Sequence, residues 1–110
     1  MILVGKQGIR GDLPEEIARL EDLTAHLEKL ASGQMPSERE LLIAPLLERF
    51  VLTSRPRPCL SGQQTGHPLL KGSLIRTSEI WVIAPTWMRT YSRLYRLGEP
   101  LFSEFLHAFE

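Results

Sequence analysis

A chain of 110 residues and 12.5 kDa is sized for one domain, able to bury roughly two-thirds of the surface its unfolded form exposes. Its 43% apolar and 24% charged residues fall in the globular range, which excludes wholesale disorder and a fibrous repeat. The formal net charge of zero hides an imbalance: residues 1 to 50 carry nine acids and six bases, residues 51 to 98 seven bases and one acid, and residues 99 to 110 three more acids. A basic middle framed by acidic flanks either compensates internally or turns a positive face outward.

The longest apolar run, Ile80 to Pro85, is far short of the roughly 20 residues that cross a bilayer, so no membrane association is expected. The opening MILVGKQGIR lacks the charged-then-apolar order of a secretion signal. The single cysteine, Cys59, cannot form an internal disulfide. Both features point to the cytoplasm.

Residues 1 to 11 open with Ile2, Leu3 and Val4 and then three glycines, which reads as a short edge strand or a loosely held arm. A helix follows. Asp12 with Glu15 has the form of a capping box, Pro14 suits the first turn, and Gly33 supplies a left-handed stop. Between them Leu13, Ile17, Leu20, Leu23, Leu27 and Leu30 recur at spacings of three and four, one apolar helical stripe. A helix packed on its own sheet explains these leucines. The sevenfold spacing of Leu13, Leu20 and Leu27 also allows a coiled-coil contact with a second copy. His26 sits at the edge of the stripe.

Ser37 with Glu40 offers a second capping box for a short helix through Leu41 and Leu42, and Pro45 disfavours helix at Ala44. Leu46, Leu47 and Phe50 continue an apolar face that needs a cover. Val51 and Thr53 begin a β-branched stretch ended by Arg55-Pro56-Arg57-Pro58, because alternate prolines cannot serve a central ladder. Residues 59 to 65 are a second strand candidate. Gly66-His67-Pro68 and Lys71-Gly72 carry turn chemistry on both sides of Leu69-Leu70.

Leu74 to Ala84 is the best strand, with Ile80-Trp81-Val82-Ile83 apolar on both faces, as in a strand covered from both sides. Residues 86 to 97 admit two readings. As a strand they form a hairpin with the preceding one through a turn at Ala84 to Trp87, and Arg89, Tyr91, Arg93 and Tyr95 share one face. As a helix they run from a Thr86 cap to Gly98. Threonine, tyrosine and serine favour the strand. A last helix over 100 to 109 gathers Leu101, Phe102, Phe105, Leu106 and Phe109 on one face and leaves Glu104 and His107 in water.

The expected architecture is therefore α+β. Helices over 12–48 pack on a small antiparallel sheet of three to four strands over 50–98, with a short C-terminal helix.

Gly66-His67-Pro68-Leu69, Gly72, Ile75, Thr77-Ser78, Ile80, Ile83, Arg89-Thr90, Ser92, Tyr95, Leu97-Gly98 and Pro100 resemble a pattern of small uncharacterised bacterial proteins. In those proteins a G-H-P turn precedes two strands, the first with Thr-Ser and the second with Thr-x-Ser before Tyr-x-Leu-Gly. The leucine-rich helix, Ala44 to Leu47 and Arg55 to Cys59 are similar too, so the likeness covers roughly residues 12 to 100. It implies a domain of unknown function with no catalytic residue to carry over.

Chemistry has little purchase. His26, His67 and His107 lie one to a region with Cys59 alone, so no metal site and no cofactor are expected. GQQTG at Gly62 to Gly66 lacks the lysine and hydroxyl of a phosphate loop. Cys59 between Pro58 and Leu60 reads as a buried inert thiol. His67 reads as a turn residue, although Cys59 or Ser78 with His67 as base is the one enzymatic arrangement available.

Arginine interleaved with aromatics remains. Arg76, Trp87, Arg89, Tyr91, Arg93, Tyr95 and Arg96 form a candidate binding set, with guanidinium groups for phosphates and rings for unstacked bases. The expected function is that of a non-enzymatic interaction protein, of the kind a phage or mobile element encodes, engaging nucleic acid, a nucleoprotein or an acidic protein surface. The alternative is a protein-binding adaptor or inhibitor, acting as a homodimer or on a host target through Leu13, Leu20 and Leu27 or the Phe102, Phe105, Phe109 tail.

Overall fold

The structure, a computed structural model, describes residues 1–66 and 74–110. The His67-Pro68 and Lys71-Gly72 turns, and with them the proposed His67 base, lie outside the described residues. Two compact units are present: Asp12–Arg55, and Met1–Gly11 together with Pro56–Glu110. The charge imbalance follows this division. The first unit holds nine acids and five bases, a formal −4, and the second eight bases and four acids, a formal +4.

The helical unit contains α1 (Leu13–Ala31) and α2 (Glu38–Ile43). Asp12 caps α1 by accepting the Glu15 amide at 3.0 Å. The Glu15 carboxylate turns forward to Arg19 at 2.7 Å instead of back to the cap, so the expected box is half built. Gly33, at φ 83°, takes the left-handed stop. The second box is complete: Ser37 Oγ accepts from the Glu40 amide, and Glu40 Oε1 accepts from the Ser37 amide. That amide, with the Ser37 side chain, holds the Glu40 carboxyl below its ordinary pKa. Ala44 is extended at ψ 145° ahead of Pro45, as the proline requires. Neither helix buries any of its residues.

The other unit is built on a five-stranded sheet with the order β2-β1-β5-β6-β7: β1 (Ile2–Gly5), β2 (Gly8–Arg10), β5 (Ile80–Ile83), β6 (Trp87–Thr90) and β7 (Leu94–Arg96). A separate two-stranded ribbon pairs β3 (Ser61–Gln63) with β4 (Leu74–Arg76). The large sheet is mixed, because β1 lies parallel to β5 while every other pair is antiparallel. The class is α+β as read from the sequence. The sheet is larger than expected because residues 2 to 10, read as an edge or arm, contribute a hairpin whose first strand lies inside the sheet.

Two further expectations are corrected. Leu74 to Ala84 is two strands in two sheets, parted at Thr77, whose Oγ1 accepts from the Leu60 amide and donates to the Ser78 carbonyl. Residues 51 to 60 form no strand, since Pro56 and Pro58 remove ladder donors and, among the described residues, nothing pairs with Val51 and Thr53.

The register sorts side chains onto two faces. Arg10, Leu3, Ile83, Met88 and Tyr95 form one row across all five strands, and Ile2, Val82, Arg89 and Leu94 form a row on the opposite face. Ile80 and Ile83 are three apart yet both are buried against Met88 and Phe109. A bulge between Ile80 and Val82 absorbs the odd residue, Trp81, and returns the alternation to register.

The C-terminal segment closes the core. The expected short C-terminal helix is present as a 3-10 helix, Ser103–Phe109, whose rings Phe105 and Phe109 meet edge to face at 5.2 Å. The first hairpin grips this segment: the Lys6 amide donates to the Phe109 carbonyl at 3.0 Å, and the Arg10 guanidinium donates to the Ala108 carbonyl. Leu101 and Phe102 stay exposed.

At Gly5 a Cβ would stand 2.5 Å from the Phe109 carbonyl oxygen. Gly5→Ala is expected to lower unfolding stability by about 1–3 kcal/mol through forced displacement of the tail. Gly62→Ala, with nothing within 4 Å of the added atom, should stay within about 0.5 kcal/mol of the parent. Urea melts of the two variants check both.

Candidate functional site

The β6–β7 hairpin carries most of the arginine-aromatic set, and its turn is organised by hydroxyl groups. Thr90, 1% exposed, donates through Oγ1 to the Arg93 carbonyl at 3.1 Å and accepts from the Ser92 and Arg93 amides. Ser78 Oγ accepts from the Ser92 amide at 3.1 Å, and the Tyr91 amide donates to the Glu79 carbonyl at 2.9 Å. On the far side of the same segment, Thr77 and Ile80 donate their amides to the carbonyls of Leu60 and Pro58. The Thr-Ser and Thr-x-Ser pairs thus knit three stretches of chain, each supplying partners that a buried or half-buried polar backbone needs.

This scaffold disperses the expected binding set. Residues 86 to 97 form two strands and a turn, so Arg89, Tyr91, Arg93 and Tyr95 do not share a face. Tyr95 stands in the Met88 row and packs against the core. Tyr91, 73% exposed, and half-buried Arg93 occupy the turn. Arg76 lies opposite Ser61 on the separate β3–β4 ribbon.

Trp87, Arg89 and Arg96 do come together. Trp87 pairs directly with Arg96, and Arg89 pairs with Leu94, all four exposed on the face opposite the core. Among the described residues, Arg76, Arg89 and Arg96 have no ion-pair partner. The nearest ion pair on this unit, Arg57 with Glu79 at 3.8 Å, involves none of them. The strand alternation that sent Arg89 outward was readable from sequence; the β6–β7 turn, which pairs Arg89 with Leu94 and so sets Tyr95 inward beside Met88, was not.

Elsewhere the reactive groups stand apart. Cys59 is exposed rather than buried. The groups on either side of it bond inward, Pro58 through its carbonyl and Leu60 through its amide and carbonyl, so Leu60 reaches the core while the thiol points away. His26 stands 3.9 Å from Asp22 on α1. Among the described residues no three His, Cys, Asp or Glu side chains converge on a metal position, and no helix is long and apolar enough to cross a membrane.

Fold and site together define a small α+β protein with an open basic and aromatic sheet face. The chain belongs to a family of unknown function, DUF6634, whose model matches residues 20–106. That span includes the whole β6–β7 hairpin and its hydroxyl network and leaves the β1–β2 hairpin outside. No curated protein and no solved structure matches the chain.

Thr90→Val keeps the shape of the side chain but removes the Oγ1 acceptor of the Arg93 amide and one of the two acceptors of the Ser92 amide, which keeps Ser78 Oγ. A loss of about 1–3 kcal/mol is expected, whereas Thr90→Ser should retain most of the stability. Thermal melts separate the two, and equal melting of both variants would deny the hydroxyl its role.

Proposed function

We propose that this protein is a non-enzymatic interaction module that engages nucleic acid or a nucleoprotein in the cytoplasm through the outer face of β6 and β7. The observation carrying this reading is the grouping of Arg89 and Arg96 with the exposed indole of Trp87, on a unit of formal charge +4, where among the described residues neither guanidinium has a carboxylate partner. An arginine without an internal partner keeps its full attraction for phosphate, and planar guanidinium groups suit phosphate recognition. Tyr91 and Arg93 in the adjoining turn, and Arg76 on the ribbon, extend the surface available to a long polyanion.

Binding to nucleic acid releases counterions, so affinity falls with salt by a slope of about 0.7 to 0.9 per phosphate contacted. Arg89→Ala and Arg96→Ala should each weaken binding at low salt and reduce that slope by about one. Arg19→Ala, which removes the same charge from a paired site on α1, should leave it unchanged. Fluorescence anisotropy of a labelled oligonucleotide over a salt series measures all three. Absence of binding at low salt, or binding indifferent to salt, removes this function.

A second reading is favoured by one observation: Ile17, Leu20, Leu23, Leu27 and Leu30 are all exposed on a helix that buries nothing. An adaptor or inhibitor could use that stripe on a host protein or on a second copy. The tail has less to offer, since Phe105 and Phe109 are taken up by the core and only Phe102 is exposed. Sedimentation over a wide concentration range tests self-association, with Leu20→Glu abolishing any dimer. A monomer at high concentration ends the homodimer.

A further inference from the structure

Two apolar groups and two cations alternate on the outer face of the β6–β7 hairpin. Trp87 is directly across from Arg96, and Arg89 directly across from Leu94. The apolar pair, Trp87 and Leu94, therefore lies on one diagonal and the cationic pair, Arg89 and Arg96, on the other. Diagonal neighbours in an antiparallel pair stand about 7–8 Å apart. Trp87 is 38% exposed and Leu94 63% exposed. Among the described residues the one close ring contact is between Phe105 and Phe109, so the Trp87 ring is covered neither by another ring nor by a stacked cation.

Such a chequered surface is selective. Stacked bases recur about every 3.4 Å and hide their faces in a duplex, so no paired base can lie flat on the indole. A flat sheet face also lacks the projecting helix or ribbon that enters a groove. An unstacked strand has neither obstacle. One base can cover Trp87 and another Leu94, a spacing of about twice the stacked rise, while phosphates between them fall near Arg89 and Arg96.

We infer that the ligand class of this face is single-stranded nucleic acid, held by a base stacked on Trp87 and by backbone phosphates at Arg89 and Arg96. The inference rests on the nucleic-acid reading above and narrows it. It assigns Trp87 a role that Trp81, the half-buried residue of the bulge, does not share.

The test uses the full chain, a labelled single-stranded homopyrimidine oligonucleotide and unlabelled competitors of equal length, one single-stranded and one duplex, at low salt. The single strand should displace the label well below the concentration at which the duplex does. Trp87→Ala should weaken single-strand binding about 5- to 150-fold, the range of one lost base stack, and Trp87→Phe should recover part of it. Circular dichroism of the exposed-site variants confirms that the fold is kept. Equal competition by duplex and single strand, or an unaltered affinity in Trp87→Ala, overturns the inference. In either case salt-dependent binding that is lost in Arg89→Ala leaves the broader reading standing, whereas absence of binding to every oligonucleotide ends both.

Discussion

The bulge at Trp81 is the constraint on which the sheet unit depends. Without it, strict alternation along β5 would point Ile80 and Ile83 to opposite faces, and one of two isoleucines now buried would lose its place in the core. With it, both join the cluster of Met88 and Phe109, and the antiparallel partner β6 is set so that Thr90 and Met88 turn inward while Arg89 turns out. A shift of one residue in that register would send the arginine into the core, where an unpaired charge is very costly. The core therefore fixes which residues face outward. Glu79, just before the bulge, accepts the Tyr91 amide through its carbonyl, and Ser78 accepts that of Ser92, which holds the turn against the strand that bears the bulge.

The same unit joins the two ends of the chain. Residues 1 to 11 supply β1 beside β5, and the last residues lie across them with Arg10 and Lys6 satisfying the carbonyls of Ala108 and Phe109. Close approach is possible because Gly5 lacks a Cβ. On the opposite face Ile2 is shielded where Gly11, at φ 125°, turns over it, and a Cβ at that glycine would meet the isoleucine side chain at 2.4 Å. Glycines at both ends of the hairpin thus have separate reasons, one of space and one of space and backbone conformation together.

Much of this was legible in particular residues. Asp12, Ser37 and Ala44-Pro45 set the helix boundaries through local chemistry, which acts over a few residues and leaves a pattern in sequence. The hairpin at Ala84 to Trp87 was legible for the same reason, and the structure closes it with the Ala84 amide on the Trp87 carbonyl. What was not legible depends on distant partners. The parallel pairing of Ile2 and Leu3 with Val82 and Ile83 joins residues about 80 positions apart, and nothing local announces it. The inward position of Tyr95 follows from its pairing with Met88 across the β6–β7 turn, and the division of Leu74 to Ala84 follows from Thr77 meeting Leu60. Of the candidate site, Trp87, Arg89 and Arg96 stay together, while Tyr95 leaves for the core and Tyr91 and Arg93 for the turn.

The Thr77-Ser78 and Thr90-x-Ser92 pairs gain a physical meaning here. They are hydrogen-bonding joints of the scaffold, and the residues proposed to bind take the outward positions of β6 and β7. Chemical-shift mapping on an isotopically labelled chain during addition of a single-stranded oligonucleotide tests this division of labour most directly. The Trp87 indole N–H and the amides of Arg89, Leu94 and Arg96 should move together and saturably, with Met88, Thr90 and the α1 amides unmoved. Shifts confined to α1 and α2, or absent from the β6–β7 hairpin, would contradict the account.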